Sequence, residues 1–324
     1  MAGSNMRERL AAFQPLLALI IMVAVLSVAS ETFRTSENGA NVLRQISVNL
    51  CLSTGMTLVV LSGGIDLSVG SVLALSGAIT AGLIRRPLEV PAAGVALEFT
   101  VWGAVVAGIS AGLLMGLFNG LAVTRFALPP FVATLGTLSI ARGLTYLWTG
   151  GASTTGLGTA FGWMGTGTWL RLPVPVWISV GVAMLFWLVS RRTRFGRYVY
   201  AIGGNERAAV LSGLRVQRVK AWVYVIAGGL AGLAGLLVTA RADAADPNAG
   251  TGYELDSIAA VVIGGTSLSG GKGSVVGTIL GCLIIGVLNN GLVMLQVSPF
   301  WQQVFKGVVI LVAVAIDRAG GKQD

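Results

Sequence analysis

Residues 55–84 read GMTLVVLSGGIDLSVGSVLALSGAITAGLI, and Asp66 is the one ionisable side chain in the stretch. Two apolar runs flank the break Ser62-Gly63-Gly64-Ile65-Asp66-Leu67-Ser68. The glycines free the backbone for a sharp turn there. Asp66 or Ser68 can accept hydrogen bonds from the first free N–H groups of a following helix. An ionisable group at such a break inside a membrane is also a candidate functional residue. The two roles are compatible, and both point to a pair of helices in an apolar solvent.

The rest of the chain agrees with that solvent. Its 324 residues are 54% hydrophobic and 11% charged, with a mean hydropathy of +0.81. A soluble domain carries about 25% charged residues, so this chain cannot cover a water-facing surface. Its 46 glycines and 9 prolines fit transmembrane helices, which use both freely. With no histidine there is no imidazole base, no usual zinc triad and no usual haem ligand, so neither a metal nor a cofactor is expected. Cys51 and Cys282 lie far apart in apolar runs and read as small packing residues.

The fold class that follows is an all-α polytopic membrane protein. A span needs about 20 apolar residues. Ten candidates are present, at 11–30, 42–62, 66–84, 100–122, 129–149, 174–190, 220–240, 255–270, 274–296 and 299–316. The first follows Arg7 and Arg9 and reads as an uncleaved anchor. Between 191 and 220, eight bases oppose the single acid Glu206, which places +7 of the net +9 in one loop. The positive-inside rule puts that loop in the cytoplasm and the charge does not signal nucleic acid. Ten spans then place both termini inside, with Arg7, Arg9, Arg318 and Lys322, and put the acidic 241–254 connection outside. Arg85 and Arg86 fall outside, against the trend. The whole of 1–324 reads as one transmembrane domain, with 191–219 a cytoplasmic loop within it.

Small residues recur at helical spacing. Gly108, Gly112, Gly116 and Gly120 line one face, and Gly228/Gly232 and Gly273/Gly277/Gly281 repeat the device. Close helix packing is the expected use. Val59–Ile79 and Val261–Ile284 share an apolar run, a Gly-Gly break, a Ser-Leu-Ser and a small-residue helix. Together with the parity of the spans, this likeness suggests inverted four-helix units, spans 2–5 and 7–10, as many transporters have. Neutral polar groups within spans, among them Asn49, Thr134, Asn289 and Asn290, suit a hydroxylated solute or hydrogen bonds between helices. Arg142 lies 13 residues after Pro129. That is about 20 Å along a helix, so it is expected near the outer interface, snorkelling.

In the basic loop, Glu206-Arg207-Ala208-Ala209-Val210-Leu211-Ser212-Gly213 reads as a short helix closed by a glycine C-cap. It resembles the E-A-A…G coupling loop of ATP-binding-cassette importer permeases, with Arg207 inserted where the family has Glu-Ala-Ala. GMTLVVLSGGIDLSVGS (55–71), PPFVATLGTLSIARGL (129–144), AGTGYELDSIAAVVIGGTSLSGGKGSVVGT (249–278) and GVLNNGL (286–292) are similar to monosaccharide permeases of the ribose/xylose/arabinose type. The likeness runs from about 41 to 317.

The resemblance implies a bacterial inner-membrane permease carrying a monosaccharide, ribose first among them. It implies a second permease copy, ATP-binding subunits below and a periplasmic sugar-binding protein above. Glu206, Arg207, Ala208, Ala209, Leu211, Ser212 and Gly213 would couple to the ATPase. Gly63, Gly64, Asp66, Ser68, Phe131, Thr134, Thr266, Ser267, Asn289 and Asn290 would line the translocation pathway. Arg85, Arg86 and Arg171 would meet the receptor. Gly270-Gly271-Lys272-Gly273-Ser274 is too short for a phosphate-binding loop, so ATP hydrolysis belongs to a partner. The rival is an ion-coupled secondary transporter, which needs carboxylates in the membrane, and Asp66 is the candidate. A membrane enzyme lacks a catalytic constellation here. A passive channel is separated by ATP dependence.

Overall fold

A computed structural model describes residues 2–90 and 95–320, leaving the side chains of 2–14, 90, 95, 310, 313 and 316–320 aside. The expected basic tail residue Lys322 lies outside the described residues, as do the side chains of Arg7, Arg9 and Arg318. Thirteen α-helices run through the described residues. They are α1 (Ala2–Ala29), α2 (Ser36–Leu61), α3 (Val69–Arg85), α4 (Val101–Thr124), α5 (Pro130–Thr149), α6 (Thr159–Thr166), α7 (Val174–Arg192), α8 (Arg194–Gly204), α9 (Glu206–Leu211), α10 (Val216–Ala242), α11 (Tyr253–Ile263), α12 (Val275–Met294) and α13 (Pro299–Gly320). Three two-stranded ribbons join loops: Leu88–Val90 with Val95–Leu97, Thr154–Thr155 with Ala244–Ala245, and Thr168–Trp169 with Leu172–Pro173.

Local chemistry sets the helix ends. Thr35, Thr100, Thr193 and Ser274 each accept a hydrogen bond from the backbone N–H three residues on, which satisfies one of the orphan donors of the first turn. Pro130 and Pro175 sit in the first turns of α5 and α7, where no N–H is needed.

Each of the ten expected spans coincides with a helix, but the helices differ in kind. Five, α2, α4, α7, α10 and α12, are long and apolar enough to cross a membrane. The expected span 255–270 is an 11-residue helix, α11, followed by irregular chain from Gly264 to Ser274. Gly264 and Gly265 stop it, and the positive-φ Gly270, Gly271 and Gly273 keep the following chain out of helix.

The bundle is built around α10 and α2. α10 packs on α4, α3 and α2, while α2 packs on α12, α11 and α10. α3 touches α4 and α5, and α11 touches α12 and α13. The glycine ladder of α4 makes the tightest seam. A Cβ on Gly112 would collide with Gly228 O and stand 3.0 Å from Gly232 Cα, and one on Gly116 would meet Val225 Cα at 2.9 Å. Between apolar helices in lipid, van der Waals contact of this kind is a main source of association. The opposite face of α4 exposes Trp102, Val106, Leu114, Phe118 and Leu121.

The two breaks form the same turn. Gly63 N and Gly64 N bond Val60 O and Val59 O; Gly265 N and Thr266 N bond Val262 O and Val261 O. Gly63 and Gly265 have φ of +80° and +81°, the left-handed glycine that closes a helix. The turns lie side by side, with Gly271 N donating to Leu61 O at 3.0 Å. Helices α2 and α11 therefore enter these turns at the same end of the bundle. The sequence likeness of 59–79 to 261–284 joins helices that run the same way, so it does not itself carry the inversion for which it was read.

Candidate functional site

At one end of the bundle the basic segment folds as α8 and α9. Asn205 caps α9 by accepting from Ala208 N at 3.0 Å. Ser212 N donates to Ala208 O, and Gly213, at φ +80°, closes the helix. Lys220 Nζ holds Glu206 Oε2 at 2.7 Å. Ala209 turns inward onto Ile202 and Val216. Glu206, Arg207, Val210 and Leu211 line a shallow exposed recess, with Leu211 88% exposed. A face of two charges and two apolar side chains, anchored by one small residue, is suited to docking a partner.

The ten expected pathway residues do not converge on one cavity. Asp66 is 1% exposed and its Oδ1 accepts from Ser68 N at 2.8 Å and Ser68 Oγ at 2.6 Å. Ser68 Oγ also accepts from Asn119 Nδ2 of α4 at 2.8 Å. Asp66 thus holds the turn that starts α3. Gly64 packs beneath Tyr224, so that a Cβ there would stand 2.5 Å from the hydroxyl. Thr134 is buried beside Ile65 O. In the second turn Thr266 is buried and Ser267 N donates to Lys272 O. Asn290 makes a reciprocal amide pair with Asn38, at 2.8 and 3.0 Å, tying α12 to α2. Asn289 Nδ2 donates to Asp256 Oδ2 at 3.2 Å. Phe131 faces outward, 54% exposed on α5, and Gly63 is exposed as well. That helix buries Ala133, Thr134, Thr137, Ala141 and Thr145 and leaves Gly136, Ser139 and Gly143 open.

At the other end, Arg85 and Arg86 are exposed and line a recess of about 220 Å³ with Thr149, Ser153, Thr154 and Thr155. Arg171 is exposed on a separate hairpin turn, at φ +66°.

Two arrangements were not anticipated. Arg142 does not snorkel. Its guanidinium turns into the bundle and donates to Pro247 O and, at 3.0 Å, to Ala249 O. Tyr146 Oη reinforces this by donating to Asn248 Oδ1 at 2.6 Å. The loop before α11 is thereby clamped to α5. Pro247 O and Ala249 O, which no backbone N–H among the described residues reaches, find their donor in this guanidinium. The second is Asp256, only 6% exposed, which meets Lys306 Nζ of α13 at 2.9 Å. Asp66 is therefore not the sole buried carboxylate. The signal was available, since an acid and a base in separate apolar segments of a charge-poor chain are each costly unless they meet.

Comparison with known proteins places this arrangement in a wider set. Residues 38–314 match the family described as branched-chain amino acid transport system / permease component. The chain is 48% identical to a ribose import permease of Bacillus subtilis over 306 residues, 94% of this chain and 92% of that one. It is 47% identical to a ribose import permease of Escherichia coli K12, again over 94% and 92%. It is 41% identical to a D-allose transport system permease of the same organism, over 93% and 89%. No solved structure matches it.

Proposed function

This chain belongs to the branched-chain amino acid transport system / permease component family, and on that premise we propose that it is the permease of an ATP-binding-cassette importer for a monosaccharide, D-ribose. It is a multi-pass protein of the bacterial inner membrane and a transporter component, not an enzyme. The observation that carries the choice of sugar is near-full-length similarity to ribose import permeases. A permease of such a system works with an ATP-hydrolysing partner and a substrate-binding partner.

The finer reading has ten spans: α1 to α5, α7 and α10 to α13, with both termini in the cytoplasm. It treats the chain as one transmembrane domain with 191–219 a cytoplasmic loop. The basic segment supports this, because it shares one end with both glycine turns while Arg85, Arg86 and Asp243 share the other. Spans 2–5 and 7–10 form inverted units in this reading. Its support is the correspondence of packing, in which α10 on α4 and α3 mirrors α2 on α12 and α11, and Gly70 and Gly250 approach each other's carbonyls reciprocally.

Two copies of the chain enclose the sugar path along the open face of α5, where Phe131 offers a ring to the pyranose or furanose face and Thr134 lies behind it. Gly63, Gly64, Asp66, Ser68, Thr266 and Ser267 form the turns at its inner end. Asn289 and Asn290 hold α12 in place beside it. The ATPase docks on Glu206, Arg207, Ala208, Ala209, Leu211, Ser212 and Gly213, and a periplasmic sugar-binding protein docks near Arg85, Arg86 and Arg171.

The deciding experiment is reconstitution with the ATP-binding and receptor subunits in vesicles. Uptake of labelled ribose should require ATP and all three components. Uptake by this chain alone, driven by an ion gradient, would instead establish a secondary transporter. Within the same system, Gly213→Val puts a β-branched residue at φ +80°, where it is strongly disfavoured, and should unwind the end of α9. Ribose uptake and receptor-stimulated ATP hydrolysis should both fall at least tenfold. Normal values for both would remove α9 from the coupling.

A charge test addresses the outer face. Arg85→Glu with Arg86→Glu should slow receptor association about tenfold at low ionic strength, and the effect should shrink as salt is added. An unchanged association rate at low salt would move the docking surface elsewhere.

A further inference from the structure

Gly203 is the last residue but one of α8, the helix that leads into α9. A Cβ on Gly203 would collide with Leu61 O, at the end of α2, and stand 2.5 Å from Gly271 N in the second glycine turn. Gly270 approaches from the other side, its Cβ position 3.0 Å from Gly203 O and 3.1 Å from Gly63 N. Gly271 N donates to Leu61 O at 3.0 Å. Tyr200 Oη, one turn earlier in α8, donates to Gly273 O at 2.9 Å. Three separate segments thus meet backbone against backbone: the end of α8, the turn after α2 and the turn after α11.

Such a junction has no rotamers to absorb a displacement. A side chain between two elements can relax by changing rotamer, but contacting main chains must move together or separate. We propose that Gly203 is a positioning residue that delivers movement of α8 and α9 to both turns at once, so that α2–α3 and α11–α12 change arrangement in step. This rests on the reading of α9 as the ATPase docking helix. α9 is fixed to α8 through Ala209 on Ile202, so force on the exposed face of α9 reaches Gly203 over one short rigid element.

The test is Gly203→Ala in the reconstituted permease with its ATP-binding and receptor subunits, reading ribose taken up per ATP hydrolysed. A methyl at this point parts α8 from Leu61. The expected result is a complex that still assembles and hydrolyses ATP but whose uptake per ATP falls at least fivefold. Gly204→Ala is the control, because a Cβ there meets nothing within 4 Å, and its uptake per ATP should match the unmodified protein. Tyr200→Phe removes the bond to Gly273 O without adding volume and should lower the ratio about twofold in a fully folded protein. If Gly203→Ala fails to assemble, Tyr200→Phe decides the matter. An unchanged ratio in an assembled Gly203→Ala protein, or in Tyr200→Phe when the first does not assemble, overturns the proposal. A failure of the functional reading looks different, since the unmodified protein would then show no ATP-dependent ribose uptake at all.

Discussion

Gly112→Leu should abolish the folded protein. The Cβ position at Gly112 is enclosed by Gly228 O and by Gly232 Cα and N, all main-chain atoms. Gly228 is enclosed in turn by Gly116 Cα and N at 2.7 Å. No neighbouring side chain can rotate away, so α4 and α10 must part along the seam. Overpacking usually costs about 1–3 kcal/mol and sometimes more. Displacing two backbones belongs at or beyond the upper end, against a total stability of about 5–15 kcal/mol. The check is size-exclusion chromatography of detergent-solubilised protein, in which the monodisperse peak should disappear. Gly181→Leu on α7 is the comparison, because its Cβ meets nothing within 4 Å, and that variant should elute normally. A monodisperse Gly112→Leu at ordinary yield would show that the ladder is not the seam described here.

Lys306→Met should be the most damaging change to charge. Asp256 is left with Asn289 as its partner while 6% exposed. Removing one member of a fully buried ion pair costs about 3–5 kcal/mol, because the other charge stays buried and uncompensated; with the Lys306 side chain 28% exposed, the loss here belongs at or below the lower end of that range. Adding Asp256→Asn removes that charge and keeps the shape of the side chain. The double variant should therefore recover most of the lost thermal stability, giving a large coupling in the double-mutant cycle. Melting in detergent reads all three proteins. A single variant as stable as the parent, or a double variant no better than the single, would mean the pair is too solvated to matter. α13 makes its principal packing contact with α11, so the pair also ties the last helix to the bundle.

Much of the fold was legible because apolar runs and charge-bearing connections are set by a strong, local rule. The positions of the ten segments, the α9 helix and its glycine cap follow from hydropathy and capping residues read in order. What was less legible depends on partners far apart in the chain. Asp66 reads first as a cap and second as a ligand, and only its oxygen on Ser68 fixes the first role. Arg142 reads as a snorkelling residue because helix length gives its depth but not its azimuth, and azimuth decides that it faces Pro247 and Ala249. The likeness between 59–79 and 261–284 is real at the level of the turn, yet turn chemistry repeats wherever a glycine closes a helix. It carries no information on which way the helices run.

The brevity of α11 has a consequence for how the protein is made. Eleven residues rise about 16 Å, roughly half of a 30 Å hydrocarbon layer. A segment of that length carrying Glu254 and Asp256 cannot be retained by the insertion machinery on its own apolarity. It needs the groove offered by α2 and α12 and the cation brought by Lys306. Lys306 is synthesised some fifty residues after Asp256. Assembly of this chain therefore cannot be a simple succession of spans in order of synthesis. Its C-terminal third should stay in a provisional arrangement until the last helix has emerged, and truncations before α13 should be cleared by membrane proteases.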